Sequence, residues 1–187
     1  MKTLKNSTLF YLLVLLISVQ FATAQKLVTA AEVTPAFLKE TFDNAYIEVL
    51  EVKDTYIKIK NTYNIYLDID SNKRYVTLSS VYNLVDGAPK RDVLELINKL
   101  NAEVALIKTY YSESTNTITY YYYFWTDGGF TQKSLVNSMR LYKTALDLTL
   151  EKDGEFKKLI QTHFTNLKNL GIKKYDKIDS LDDLLLA

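Results

Sequence analysis

His163 is the only histidine in a chain of 187 residues that contains no cysteine. Those two counts bound the chemistry available. Zinc and related metals draw most of their ligands from imidazole and thiolate, so transition-metal and zinc-hydrolase sites lack their usual donors. Thiol catalysis is removed outright. A serine hydrolase would need His163 as its base, and no Gly-x-Ser-x-Gly turn is present. His163 follows Phe156 at the edge of an apolar stripe, which fits a packing or boundary position. Oxygen donors recur at alternating positions in Asp68-Ile69-Asp70-Ser71-Asn72, as in a calcium loop. Lys73, however, stands where such a loop needs Gly, and Ser79 where it needs Glu. A hairpin turn is the better reading, with a weak surface calcium site as the alternative. Glu48, Glu51, Glu103 and Glu113 could work as paired carboxylates only if folding brought two of them into one cleft. Alternation sets Glu48 among Leu50 and Val52, and solvated strand charges that discourage edge pairing explain these residues more simply. Asp127-Gly128-Gly129 precedes a helix and could offer backbone amides to an anion. Its leading acid and the absence of a phosphate-loop lysine make it a plain turn. The expectation is a chain without catalytic residues, metal ligands or a cofactor.

Aromatic residues are the remaining functional candidates. Thr117 to Trp125 reads Thr-Ile-Thr-Tyr-Tyr-Tyr-Tyr-Phe-Trp, a run of β-branched and aromatic residues that predicts a strand. Successive side chains point to opposite faces. Ile118, Tyr120, Tyr122 and Phe124 form one face, expected to be core. Thr119, Tyr121, Tyr123 and Trp125 form the other, which is either interface or core. Tyr is enriched where proteins touch, because it offers a large rigid area at low entropic cost. Tyr110, Tyr111, Tyr121, Tyr123 and Trp125 are therefore the candidate partner-binding residues.

The elements that must position this strand follow from periodicity. Thr34-Pro35 starts a helix, a capping hydroxyl before a proline, and Phe37, Leu38, Phe42 and Ala45 carry it over Pro35 to Asn44. The period then changes to two. Strands are expected at Ile47 to Val52, Tyr56 to Lys60, Tyr63 to Asp70 and Arg74 to Tyr82, turning at Lys53-Asp54, Asn61-Thr62 and Ser71-Asn72. This is an antiparallel meander with one buried face. Asp86-Gly87-Ala88-Pro89 opens a helix to Leu100 along Val93, Leu96, Ile97 and Leu100, with Asn101 as a left-handed cap. Glu103 to Tyr111 and Asn116 to Trp125 then form a hairpin around Ser112-Glu113-Ser114-Thr115. Thr131 caps a long helix along Leu135, Met139, Tyr142, Leu146 and Leu150, which Gly154 interrupts. Phe156 to Leu170 reads as a last helix ending at Gly171. Ser180 and Asp183 could form a capping box in the tail.

The chain opens like an exported protein. Lys2 and Lys5 precede the apolar run Leu9 to Val19, and Ala22-Thr23-Ala24 is a small-x-small cleavage site. The run is too short for a membrane span, and no later stretch approaches that length. Residues 1–24 are expected to be a signal peptide, 25–153 an α+β domain, and 154–187 a C-terminal helix with a partly flexible tail. Formal net charge is +1 and becomes slightly negative once Lys2 and Lys5 leave. A near-neutral mixed surface argues against nucleic acid and anionic membranes as main partners. An exported chain without cysteine is stabilised by packing alone.

From about Thr34 to Leu150 the order helix, four-strand meander, helix, two-strand hairpin, long helix resembles the YbjN family, whose domain is type III secretion chaperone-like. Asn98-Lys99-Leu100-Asn101 is similar to the family's Asn-x-hydrophobic-Asn signature closing the middle helix. The aromatic strand and Asp127-Gly128-Gly129-Phe130, leading into Leu135, Met139 and Tyr142, carry the rest of the likeness. The export signal and the segment after Gly154 depart from the family pattern. The resemblance implies a non-enzymatic, sensory transduction regulator-like domain that binds another protein, often as a dimer. The expected function is an exported chaperone-like, adaptor-like or regulatory binding module. The alternative is a carrier of a small apolar ligand, held in a pocket between sheet and helices.

Overall fold

The computed structural model describes residues 26–161. A short 3-10 turn, Ala30–Glu32, leads into α1, Pro35–Asn44. The Thr34 hydroxyl accepts a hydrogen bond from Phe37 N at 3.1 Å, so the cap expected from Thr34-Pro35 is the one that forms. The meander follows as β1 Glu48–Val52, β2 Tyr56–Asn61, β3 Tyr63–Ile69 and β4 Tyr75–Asn83. Helix α2, Lys90–Glu103, crosses to the hairpin β5 Lys108–Ser112 and β6 Thr117–Trp125, and α3, Gln132–Phe156, closes the domain. All strand pairs are antiparallel, and the sheet order is β1-β2-β3-β4-β6-β5. The chain is thus α+β, as its pattern predicts.

The three α-helices of the described residues all contribute to one core on one side of the sheet. Ile57, Ile59, Ile65, Leu67, Val76, Leu78, Ile118 and Tyr120 are fully buried against Leu38 and Phe42 of α1, Val93, Leu96 and Leu100 of α2, and Leu135, Met139, Tyr142 and Leu146 of α3. Aromatic edge contacts tie the layers. Tyr120 meets Tyr82 at 5.8 Å between ring centres, and Phe124 meets Phe130 at 5.1 Å. Each such pair contributes about 0.5–1.5 kcal/mol beyond its buried area. The Tyr142 hydroxyl donates to the Tyr120 carbonyl at 2.9 Å and fastens α3 to β6. Thr131 and Ser134 cap α3 reciprocally, each hydroxyl accepting from the other's backbone N–H.

Several expectations are corrected. α2 runs past Asn101 to Glu103, and the left-handed residue is Leu106, at φ 72°. The first hairpin strand consequently begins at Lys108 instead of Glu103. Gly154 does not interrupt α3, which continues to Phe156 because packing, more than one weak helix former, decides its length. After Phe156 the chain leaves the helix. Ile160 bridges to Leu84, and the Asp153 carboxylate accepts the backbone N–H groups of Leu159 and Ile160 at 2.8 and 3.0 Å. The expected helix from Phe156 is therefore absent over its described part. Its remainder, His163, the capping box at Ser180 and the signal segment 1–24 lie outside the described residues.

Candidate interaction surface

The β6 ladder fixes which side chains share the face opposite the helices. Its register on β4 pairs Tyr75 with Trp125, Thr77 with Tyr123, Ser79 with Tyr121 and Val81 with Thr119. On β5, Lys108 faces Tyr121 and Tyr110 faces Thr119. On β3, Tyr66 faces Ser79 and Asp68 faces Thr77, and on β2, Lys58 faces Tyr66 and Tyr56 faces Asp68. Alternation puts all of these on one side. Two rows therefore cross the sheet. One reads Tyr56, Asp68, Thr77, Tyr123, and the next reads Lys58, Tyr66, Ser79, Tyr121, Lys108.

The two sides of β6 differ sharply in exposure. Tyr120 is 0% exposed, whereas Tyr123 is 40% and Trp125 61% exposed. Tyr110 and Val81 on the same side are also exposed. The rings form a contiguous band: Tyr75 lies 4.9 Å from Tyr123 and 5.4 Å from Trp125, and Tyr121 lies 5.4 Å from Tyr123. A second group sits further along the sheet, with Tyr56 5.9 Å from Tyr66 and the Lys58 ammonium 5.2 Å above the Tyr66 ring. Partial burial among these neighbours raises the Asp68 carboxyl above its ordinary range.

Of the five candidate residues, Tyr110, Tyr121, Tyr123 and Trp125 come together on this face. Tyr111 does not. It pairs with Ile118 and packs against the core side, because residues adjacent in a strand point opposite ways. Tyr75 joins the band, and Tyr66 and Tyr56 form the second group on the same face, although the aromatic run alone did not single them out. Their strands alternate legibly, but only the β4–β6 adjacency brings Tyr75 beside Trp125.

Three of the four carboxylates weighed for catalysis are ion-paired with lysines. Glu51 pairs with Lys53, Glu103 with Lys152 and Glu113 with Lys90. A register shift between Val49 and Glu51 places Glu51 opposite Lys58, so Glu48 and Glu51 share a side that strict alternation would have denied them. Among the described residues, no three His, Asp or Glu side chains gather as a metal site. Asp68 and Ile69 end β3, and Asp70-Ser71-Asn72 opens the turn to β4, where Asp70 accepts from Arg74 N and the Lys73 ammonium reaches the Ala31 carbonyl. Asp127-Gly128-Gly129 is likewise a turn, with both glycines at positive φ. Two hollows lie elsewhere. An open cleft of about 590 Å³ is bordered by Lys26, Glu32, Phe37 and Gln132, and one of about 260 Å³ by Thr34, Asp54 and Asp70. No helix among the described residues is long and apolar enough to cross a membrane.

Comparison with known proteins agrees with this architecture. No curated protein sequence matches. A solved structure, "Crystal structure of YbjN, a putative transcription regulator from E. coli", is similar at a TM-score of 0.59 and 10% sequence identity, covering 68% of this chain and 95% of that one. At that identity the likeness is one of fold. The sequence profile of the YbjN family, described as "Putative bacterial sensory transduction regulator", matches residues 59–152, from β2 into the last turns of α3. Half of the chain carries that match, and the chain belongs to the YbjN family.

Proposed function

We propose that this protein is a non-enzymatic binding module whose contact surface is the open face of its sheet. The observation that carries this reading is the contiguous band of Tyr75, Tyr121, Tyr123 and Trp125 on the side that the helices of the described residues do not cover. Rigid aromatic rings with polar tips, kept partly exposed on a flat scaffold, suit a protein partner. Three helices on the other side hold the sheet in place, so the band needs little ordering on binding. A regulatory role is in keeping with the family's description; an adaptor role and self-association through the same face are part of the proposal. The near-neutral charge favours protein over nucleic acid as the partner. The leader-like segment 1–24 supports export, with the working protein periplasmic or secreted. A small-ligand carrier is the second reading; it calls for an enclosed cavity between sheet and helices, and the two hollows described above border turns and helix starts.

The test is a crosslinked capture from envelope and periplasmic extract, comparing the native chain with Trp125→Ser and Tyr123→Ser. One partner recovered stoichiometrically by the native chain and lost with either substitution is the expected result. Recovery that is unchanged in both variants would remove the open face as the contact surface.

A further inference from the structure

Asn101 makes an unusual pair of hydrogen bonds for a residue in the last turn of a helix. Its Nδ2 donates to the Thr109 carbonyl at 3.0 Å, and its Oδ1 accepts from the Thr109 backbone N–H at 2.8 Å. One side-chain amide thus presents to β5 the donor and acceptor that a neighbouring strand would offer. Among the described residues, β5 is the outermost strand on its side of the sheet. In an antiparallel ladder, backbone groups point alternately toward and away from the partner. Thr109 faces Tyr120 across the ladder, yet its N–H and C=O are taken by Asn101, so it is an outward-pointing position. Tyr111, two residues on, points its backbone the same way. Within Lys108–Ser112 these are the two outward positions, and Asn101 occupies one of them.

We propose that Asn101 is a surrogate strand that keeps the β5 edge from pairing with β5 of a second copy of this chain. The occupant follows from the edge itself. The segment Lys-Thr-Tyr-Tyr-Ser is rich in strand formers and lacks proline, the usual material of an unwanted edge contact. Two such edges meet through a two-fold axis at Tyr110, which sets Thr109 of each strand against Tyr111 of the other. Both outward positions then form hydrogen-bonded pairs, and the two sheets continue into one with their open faces on the same side. That arrangement requires the Thr109 groups that Asn101 holds. The guard is independent of what the open face binds.

The chain has no cysteine, so Tyr110→Cys supplies a unique reporter at the axis of the arrangement. Facing β-carbons in such a pair lie about 4.5–5.5 Å apart, near enough for a disulfide to form with small adjustment. The full chain carrying Tyr110→Cys is oxidised mildly, with and without Asn101→Ala, and the linked dimer is quantified on non-reducing gels. Asn101→Ala is expected to raise the rate of linkage roughly tenfold, which corresponds to about 1.4 kcal/mol. Adding Thr109→Pro removes the freed N–H and is expected to return linkage to its starting level. If Asn101→Ala proves unfolded by circular dichroism, Asn101→Leu carries the same test, since it keeps the side-chain volume and removes both the donor and the acceptor that hold Thr109. Linkage unchanged in a folded Asn101 variant, or raised but indifferent to Thr109→Pro, overturns the proposal. Failure of the partner capture with an intact guard would instead count against the open face alone.

Discussion

Tyr120→Ser and Trp125→Ser remove aromatic rings from opposite faces of one strand, and the structure assigns them opposite consequences. Tyr120 is fully buried. An aromatic side chain of its kind removes about 150–250 Å² from water, which at ~25 cal/mol per Å² corresponds to roughly 4–6 kcal/mol. Domains of this size are stable by only ~5–15 kcal/mol, so Tyr120→Ser should consume much of the total or abolish folding. Trp125 is 61% exposed. Folding therefore removes only about 100 Å² of its surface, an upper limit of ~2.5 kcal/mol that a compact unfolded chain reduces further. The surface left uncovered is what a partner would bury, and an aromatic anchor of this kind contributes about 2 kcal/mol or more, some 30-fold in affinity. Urea unfolding of both variants, beside sedimentation analysis or partner titration of Trp125→Ser, separates the two effects. The expected pattern is a modest shift in unfolding midpoint with a large loss of association for Trp125→Ser. A loss of stability as large as that of Tyr120→Ser would show that the face is packed, and the argument would fall.

Two further substitutions probe the frame. Gly129 has φ +82°, and an added β-carbon would lie 2.8 Å from Leu27 Cδ2, whereas Gly128 has φ +81° and open space around it. Gly128→Ala should cost about 1–2 kcal/mol from the backbone alone, and Gly129→Ala visibly more in a thermal melt. Equal melting temperatures would refute the contact with Leu27. Asp153 provides a pH test. Burial raises its carboxyl above the ordinary 3.8, against the opposing pull of the Ile160 and Leu159 N–H groups. Because the folded-state value is the raised one, its contribution to stability is fully present below 3.8 and is lost as pH rises through the folded value. Asp153→Asn should therefore flatten the dependence of unfolding free energy on pH just above 3.8. An unaltered slope would mean that the carboxylate is solvated in the folded protein.

Much of the architecture was legible because it is locally encoded. The bounds of α1 follow from Thr34, Pro35 and the apolar spacing after them, and the meander follows from alternation and its turns. The burial of Ile118, Tyr120 and Phe124 on one face of β6 was likewise readable from period two. What escaped depends on contacts distant in sequence or on irregularity. Asn101 looked like a cap because asparagine tolerates the left-handed region, but its role is set by Thr109 across the next loop. Leu159 and Ile160 kept helical spacing with Phe156, yet they are held by Asp153 and by the end of β4. The bulge in β1 defeats strict alternation, and Tyr111 was grouped with Tyr110 by adjacency, although adjacent strand residues oppose each other. Three of the four rings of the aromatic band were visible in one segment. Tyr75 could not be added without the pairing of β4 with β6.

That pairing also bears on how the chain reaches its native state. The meander β1 to β4 is assembled from neighbours in sequence and can form quickly, whereas β6 docks only after α2 and β5 have been traversed, bringing Trp125 back to Tyr75. Until it does, β4 is a bare edge with Val76 and Leu78 lacking part of their cover. The aromatic strand is thus the keystone of assembly as well as the widest part of the surface. Substitutions on its outward positions change the surface while leaving the core residues in place. Insertion or deletion of one residue within β6 would exchange inward and outward sets together. Divergence among related chains should accordingly proceed here by replacement and almost never by change of length.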